Sequence, residues 1–396
     1  MPLKVIIVGG GISGLCAGVS LSQAGHSVKV LERSKFSNEV GAGITLAPNG
    51  VLVLRKMGFD FQRAKGCELA NWSTFEGGSL ETMSVQDLHK AKERFGAEFY
   101  GEVKSQGDEC SEMGSKPGIS LQLNSKVVRI DPDLGRVELE NGTVEEADLV
   151  VAADGVHSAI RQRVFGAVDF SARSTNMSAF RFFIPREQMM QLEAGRRLVE
   201  WNASHTGATM FVDTTVGMYE RYIAWYDVSG GELQNFVCIH PTRTGDRAVG
   251  DTRSQLLDEY KHFNQDLVEL ISLSEKVTSW PLLGCLPLPT WTKGKLVLIG
   301  DAAHPMLTFG GQGANQAVED GGALGVLFRN MSSAAEVPER LALFEQVRHK
   351  RASRVQLLSS VRAGNEHLVK EDMKRFMEPG VDIPETFAGR VAHDSG

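Results

Sequence analysis

Residues Lys4–Glu32, KVIIVGGGISGLCAGVSLSQAGHSVKVLE, decide the fold. Lys4–Val8 is an apolar run that predicts a buried strand. Gly9-Gly10-Gly11-Ile12-Ser13-Gly14 follows as G-x-G-x-x-G, and Leu15, Val19 and Leu21 continue at helical spacing as far as Gly25. A second strand, Val28–Leu31, ends in Glu32, about 18 residues past the last glycine. This is a βαβ dinucleotide unit. Gly9 permits the tight turn, Gly11 lets backbone approach a pyrophosphate, and Gly14 lets helix pack on strand. Glu32 suits ribose hydroxyls and disfavours a 2′-phosphate at this site.

A second half-site lies far downstream, at Val297–Asp320, VLIGDAAHPMLTFGGQGANQAVED. An apolar strand (Leu296–Ile299) ends at Gly300-Asp301. The loop Gly310–Gly313 then opens a helical pattern at Ala314. Free amides and the positive end of a helix dipole suit a polar or anionic ligand there. Between the halves, strand Leu149–Ala152 meets Asp154-Gly155. Further strands are expected at Ser120–Leu123, Val127–Ile130 and Val137–Leu139, with a hairpin turn at Asn141-Gly142. A helix is expected over Gly50–Met57, and residues 101–118 read as an exposed polar loop.

Residues 170–285 concentrate aromatics, among them Phe180, Phe182, Phe183, Trp225, Tyr226 and Phe236, in an alternating pattern that predicts an antiparallel sheet. Helices are expected over Gly321–Arg329 and Glu339–Leu368. Arg348, Lys350, Arg351 and Arg354 read as a solvated face of the second. The fold class is α/β: a Rossmann-like domain (1–168 and 286–370), an inserted, mainly antiparallel substrate domain (169–285), C-terminal helices and a tail (371–396).

The 396 residues are 42% hydrophobic and carry a net charge of −7. That balance argues against a nucleic-acid partner, which favours basic surfaces. No run approaches the length of a membrane span, and the chain enters its first strand without a charged-then-apolar leader, so a cytoplasmic protein is expected. Five cysteines without Cys-x-x-Cys spacing predict neither a disulfide frame nor a metal site.

Three separated blocks agree: Gly9–Gly14 with Glu32, Asp154–Ser158 with Arg161, and Gly300-Asp301 with residues 310–315. Together they resemble the group A flavoprotein monooxygenases, the single-component aromatic hydroxylases. The likeness runs over about 3–365 and is strongest to the salicylate-hydroxylase branch, through Val40–Ile44, Pro48-Asn49 and the long third block. The resemblance implies bound FAD, with NADPH or NADH as a transient reductant, and a small aromatic, phenolic substrate. Dioxygen would react through a flavin C4a-hydroperoxide. It implies cofactor contacts at Gly9, Gly11, Gly14, Glu32, Arg33, Gly43, Asp154, Gly155 and Arg161. Asp301 would bind the ribityl chain, with Gly313 and Ala314 at the pyrimidine edge. Arg181, in Ala179–Phe182, and Tyr226 match residues that activate a phenol in related dearomatising hydroxylases, and Thr45 would line the same pocket. His304 reads as structural. A monomer or homodimer is expected. Epoxidation on the same scaffold, or an FAD-binding protein without turnover, are the alternatives.

Three departures stand out. No arginine lies between Glu102 and Lys126, where the family carries a His-Arg-x-Asp-Leu-type helix whose arginine contacts FAD, so weaker flavin retention is expected. Thr308 and Asp227 stand where relatives usually carry proline.

Overall fold

The computed structural model describes residues 1–35, 43–103, 118–166, 172–202, 207–217, 220–245, 249–362 and 364–377. The first sheet has six strands in the order Thr292–Lys293, Leu296–Leu298, Leu149–Ala152, Lys4–Val8, Ser27–Leu31 and Ile119–Gln122. All pair in parallel except Thr292–Lys293. The inner strands are apolar throughout because both faces are covered. Helix Ile12–Gln23 covers one face and packs closely against helix Gly313–Leu327. A Cβ on Gly321 would run into Cys16 and Ala17, and one on Gly325 into Ser20. The Ser20 hydroxyl donates to the Gly321 carbonyl across this contact.

The second sheet has seven strands, in the order Thr278–Gly284, Arg173–Pro185, Leu233–Pro241, Tyr222–Val228, Gly207–Val212, Asn71–Glu76 and Thr82–Asp87. Every pair is antiparallel except Gly207–Val212 with Asn71–Glu76. Two of its strands therefore come from residues 71–87, ahead of the aromatic-rich segment. One face buries Phe75, Phe180, Phe182, Phe211, Trp225 and Phe236 with residues of helices Glu193–Asn202, Thr252–Tyr260 and Gln265–Ile271. Side chains alternate along a strand, so Arg181, Tyr222, Tyr226, Asn235 and Val237 fall on the opposite face.

Several expectations need correction. Tyr100–Val103 is not exposed loop: it is a strand paired with Gly43–Leu46 and Cys67–Glu68. The rest of that polar segment, 104–117, lies outside the described residues, as do Gly41 and Ala42. Helix Gly313–Leu327 is continuous through Asp320, which sits in its buried face. The long C-terminal helix is Val337–Ser359 and stops short of Leu368. Gly364, at φ +90°, turns the chain beyond it.

Of the four basic residues expected on a solvated face of that helix, only Lys350 is exposed. Arg348 is only 3% exposed. Its Nε donates to Asp320 at 2.8 Å, Nη1 pairs with Glu319, and Nη2 donates to the Gln316 side chain. Arg351 also pairs with Glu319, at 2.8 Å, and Arg354 donates to the Phe376 carbonyl. The mistake has a physical reason. Leu341, Phe344, Arg348, Ala352 and Val355 are all buried at i, i+3, i+4 spacing, so Arg348 lies on the apolar stripe and not opposite it.

Candidate active site

The site begins with register. Val8 pairs with Ala152, and Ala152 pairs with Leu298, in adjacent parallel strands. The three sequence blocks therefore leave the sheet side by side at its carboxyl edge, where open α/β sheets bind ligands.

The first block forms an open cradle. Gly9 has φ +111°, and a Cβ there would collide with the Ala153 carbonyl. A Cβ on Gly14 would collide with the Gly9 carbonyl. Gly11 differs: a Cβ there meets nothing within 4 Å, so the space in front of it is open. Gly11 caps helix Ile12–Gln23 with no side-chain cap and no acid in the first turn. Glu32 is 9% exposed; its oxygens accept from Gly10 N–H at 2.6 Å and Ser34 N–H at 2.7 Å, which fixes the carboxylate beside the glycine turn. Arg33 is exposed next to it.

In the second block Gly155 has φ +80°. Asp154 Oδ2 accepts from Ile160 N–H at 3.4 Å, while its Oδ1 is buried without a partner. Burial pushes the Asp154 carboxyl up, against the hydrogen bond from Ser158. Arg161 is fully buried. Its Nη1 donates to the Asp301 and Ala302 carbonyls at 3.0 Å, and its Nη2 to the Val156 carbonyl at 2.6 Å. Arg161 thus ties the second block to the third and positions both.

In the third block, Asp301 stands exposed in the turn Gly300–Ala302. Gly300 N–H donates to Asp320 Oδ2 at 2.8 Å, and His304 Nε2 lies 2.6 Å from the same oxygen. His304 is 1% exposed, and Asp320 is its partner, so its role is structural. Burial pushes the Asp320 carboxyl up, but His304 and Arg348 outweigh it and hold it below the usual range. Gly313 opens its helix after Gln312, without a side-chain cap, and a Cβ on Gly313 would meet nothing.

Asn315 was not picked out from sequence. Its Oδ1 accepts from Ala47 N–H at 2.8 Å, and its Nδ2 donates to the Gly311 and Thr45 carbonyls. It clamps the strand carrying Thr45 to the start of this helix. Asn49 assists by donating to Gln312 and Glu319. The available signal was an asparagine two residues after the last glycine of the loop, a residue type that satisfies backbone groups in turns. The clamp brings Thr45 to Gly311: a Cβ on Gly311 would lie 3.1 Å from the Thr45 hydroxyl.

The second sheet closes over these loops. A Cβ on Gly43 would strike Asn235, and one on Gly101 would touch Tyr226 and Asp227, so both glycines permit close approach of the sheet. Arg181 is half-buried, and its Nε is buried without a partner. Its charge reaches the phenols of both Tyr222 and Tyr226. The two tyrosines face different ground. Tyr222 packs with Leu307 and Phe309 of the third block, whereas Tyr226 packs with Ala47, Leu69 and Phe99. Burial pushes the Tyr222 phenol up to about 12 and Tyr226 further, so both stay protonated at neutral pH.

The open cradle at Gly11, the open helix start at Gly313 and the orphaned Asp154 oxygen fit an extended dinucleotide such as FAD. No helix among the described residues is long and apolar enough to cross a membrane, and no His, Cys, Asp and Glu cluster there could hold a metal.

Comparison with known proteins agrees. A family described as an FAD binding domain matches residues 130–358, and a NAD(P)-binding Rossmann-like domain matches 7–37. The chain is 32% identical to the FAD-dependent monooxygenase phomE' of Diaporthe leptostromiformis over 90% of this chain and 91% of the relative. It is 28% identical to hispidin-3-hydroxylase of Neonothopanus nambi, over 88% and 86%. A salicylate hydroxylase substrate complex superposes with a TM-score of 0.70 at 22% identity, covering 99% of this chain and 93% of that one, which shows a shared fold.

Proposed function

Because the chain belongs to the FAD-dependent monooxygenases of the aromatic-hydroxylase family, we propose that it hydroxylates a small phenolic molecule, with NADH or NADPH as electron donor and dioxygen as oxidant. The observation that carries the reading is the orphaned, buried Nε of Arg181 on the sheet face that closes over the aligned cofactor loops. A relative named as a hydroxylase favours hydroxylation over epoxidation.

FAD, when bound, supplies hydride acceptance from the nicotinamide and activation of dioxygen. The chain supplies binding, orientation and charge. Gly9–Gly14, Glu32 and Arg33 hold the adenosine end. Asp154 and Asp301 would hold the middle, and the amides of Gly313 and Ala314 would meet the ring, where a helix N-terminus stabilises negative charge. Arg181 faces the substrate. A guanidinium beside a phenolic oxygen favours the phenolate, which enriches the ring carbon to be attacked. Tyr226, kept protonated by burial, donates its proton in a hydrogen bond to the same oxygen. Thr45 borders the ring pocket. The aromatic-rich sheet keeps water from the reacting atoms.

The test is NAD(P)H consumption with a panel of phenols, with hydroxylated product and peroxide both measured. Arg181→Ala should keep its yellow flavin and lose coupled product by about 10²–10⁴-fold, the usual contribution of a positioned group acting on a proton. Unchanged coupled turnover would remove Arg181 from the site.

A further inference from the structure

A cavity of about 520 Å³ lies between the third block, the start of strand Arg173–Pro185 and the end of helix Val337–Ser359. That volume suits a small-molecule site. Its walls are mostly apolar, with Met177, Leu307 and Phe309 together with the exposed Leu286 and Leu368.

Two charged groups enter this lining, the exposed Arg173 and the half-buried Arg362. The Arg362 guanidinium lies 4.6 Å from the Phe309 ring centroid, and its Nη2 is 3.8 Å from the Met177 sulfur. Its Nη1 is buried and has no hydrogen-bond partner. No carboxylate pairs with Arg362 among the described residues; the exposed Glu220 acts on it only through longer-range charge. One neutral atom on a lining residue, Gln356 Oε1, is likewise buried without a partner. Leaving a buried polar group unmet is costly, and a charged one more so. Two such atoms around one apolar space describe a site built for a ligand with a polar end.

We propose that this cavity receives the acidic end of the substrate, and that Arg362 sets specificity by binding an anionic oxygen, such as a carboxylate, on an extended hydroxyaryl molecule. Tyr222 gives the direction. It packs with Leu307 and Phe309, and the charges of both Arg362 and Arg181 reach its phenol. A substrate anchored at Arg362 therefore runs past Tyr222, with its phenolic ring toward Arg181. That orientation rests on the hydroxylase reading above; the anion site itself does not.

The test titrates FAD-loaded enzyme with 6-hydroxy-2-naphthoate and with 6-hydroxy-2-naphthamide, which share a ring system and differ in charge. Binding is read from the change in flavin absorbance. The wild type should bind the acid about tenfold or more tightly than the amide, the value of one charge-assisted hydrogen bond. Arg362→Gln should bring the two within about twofold, and Arg362→Lys should recover part of the preference. Leu286→Glu places a carboxylate in the lining and should weaken the acid but not the amide, so the placement stays testable if the Gln variant loses its flavin. A preference for the acid that survives Arg362→Gln overturns the proposal. So does equal binding of the two probes, or saturation by neither, in the wild type. Coupled hydroxylation with an unaltered acid preference in the Gln variant overturns the anion site and leaves the hydroxylase reading standing. Binding that depends on Arg362 without any hydroxylated product removes the hydroxylase reading and leaves the anion site.

Discussion

Three arginines show how position decides what one side chain does. Arg161 gives its terminal nitrogens to backbone carbonyls and Arg348 meets carboxylates, whereas Arg181, on the sheet face over the loops, has a buried Nε without a partner. Arg348→Ala leaves Asp320 and Glu319 as buried charges short of a partner. The expected loss is about 3–5 kcal/mol of unfolding free energy, measured by urea denaturation of the FAD-loaded protein. A change below about 1 kcal/mol would show that His304, Arg351 and Asn49 carry those charges without it. Asp213 gives a pH test. Burial raises its carboxyl, but Thr215, Arg221 and His262 outweigh that and hold it at about 2, against an ordinary 3.8. A depressed carboxylate contributes stability that is fully present above its unfolded value and is lost as pH falls through its folded value. Wild-type melting temperature should therefore drop more steeply between pH 3.8 and about 2 than that of Asp213→Asn; parallel curves would contradict this. At this scale the sequence was partly legible. The glycine turn and the place of Glu32 beside it were readable because backbone approach and motif order leave marks in composition. The carbonyl partners of Arg161 were not, since a buried arginine and an exposed one share the same letter.

At the scale of elements, the βαβ unit was readable nearly to the residue: Lys4–Val8 is the strand expected, and Val28–Leu31 starts one residue inside the strand Ser27–Leu31. The first apolar run stops at Gly9 and the second at Glu32. The helix around Asp320 was misread because a buried acid looks like a break in an apolar pattern, although its ion pair with Arg348 lets the helix continue. The cradle makes a paired prediction. Gly11→Ala points its methyl into open space where a pyrophosphate would lie, whereas Gly14→Ala drives its methyl into the Gly9 carbonyl. Gly11→Ala should melt like the wild type without cofactor and bind FAD about tenfold or more weakly. Gly14→Ala should lose thermal stability even without FAD, because backbone must move. Flavin fluorescence titration and differential scanning fluorimetry separate the two. Equal FAD affinity in Gly11→Ala and the wild type would place the pyrophosphate elsewhere.

At the scale of the whole molecule, joining blocks some 290 residues apart was legible, because each ends a strand with an acid or glycine that no isolated unit needs. The composition of the lid sheet was not. Asn71–Glu76 pairs in parallel with Gly207–Val212 and extends the sheet, a non-local pairing that local pattern does not encode. The cavity beside Arg362 was equally invisible, since it is formed where three distant segments meet. What unites these parts is one claim: three strand ends hold a flavin under a sheet that presents Arg181 to a phenol. The most direct test is turnover under ¹⁸O₂ with NADH or NADPH and phenolic acids, with mass analysis of the product. The account predicts hydroxylated product carrying one ¹⁸O, formed in step with nicotinamide oxidation. Oxidation of the nicotinamide that yields only hydrogen peroxide with every phenol, or a protein that takes up no FAD at all, would contradict it.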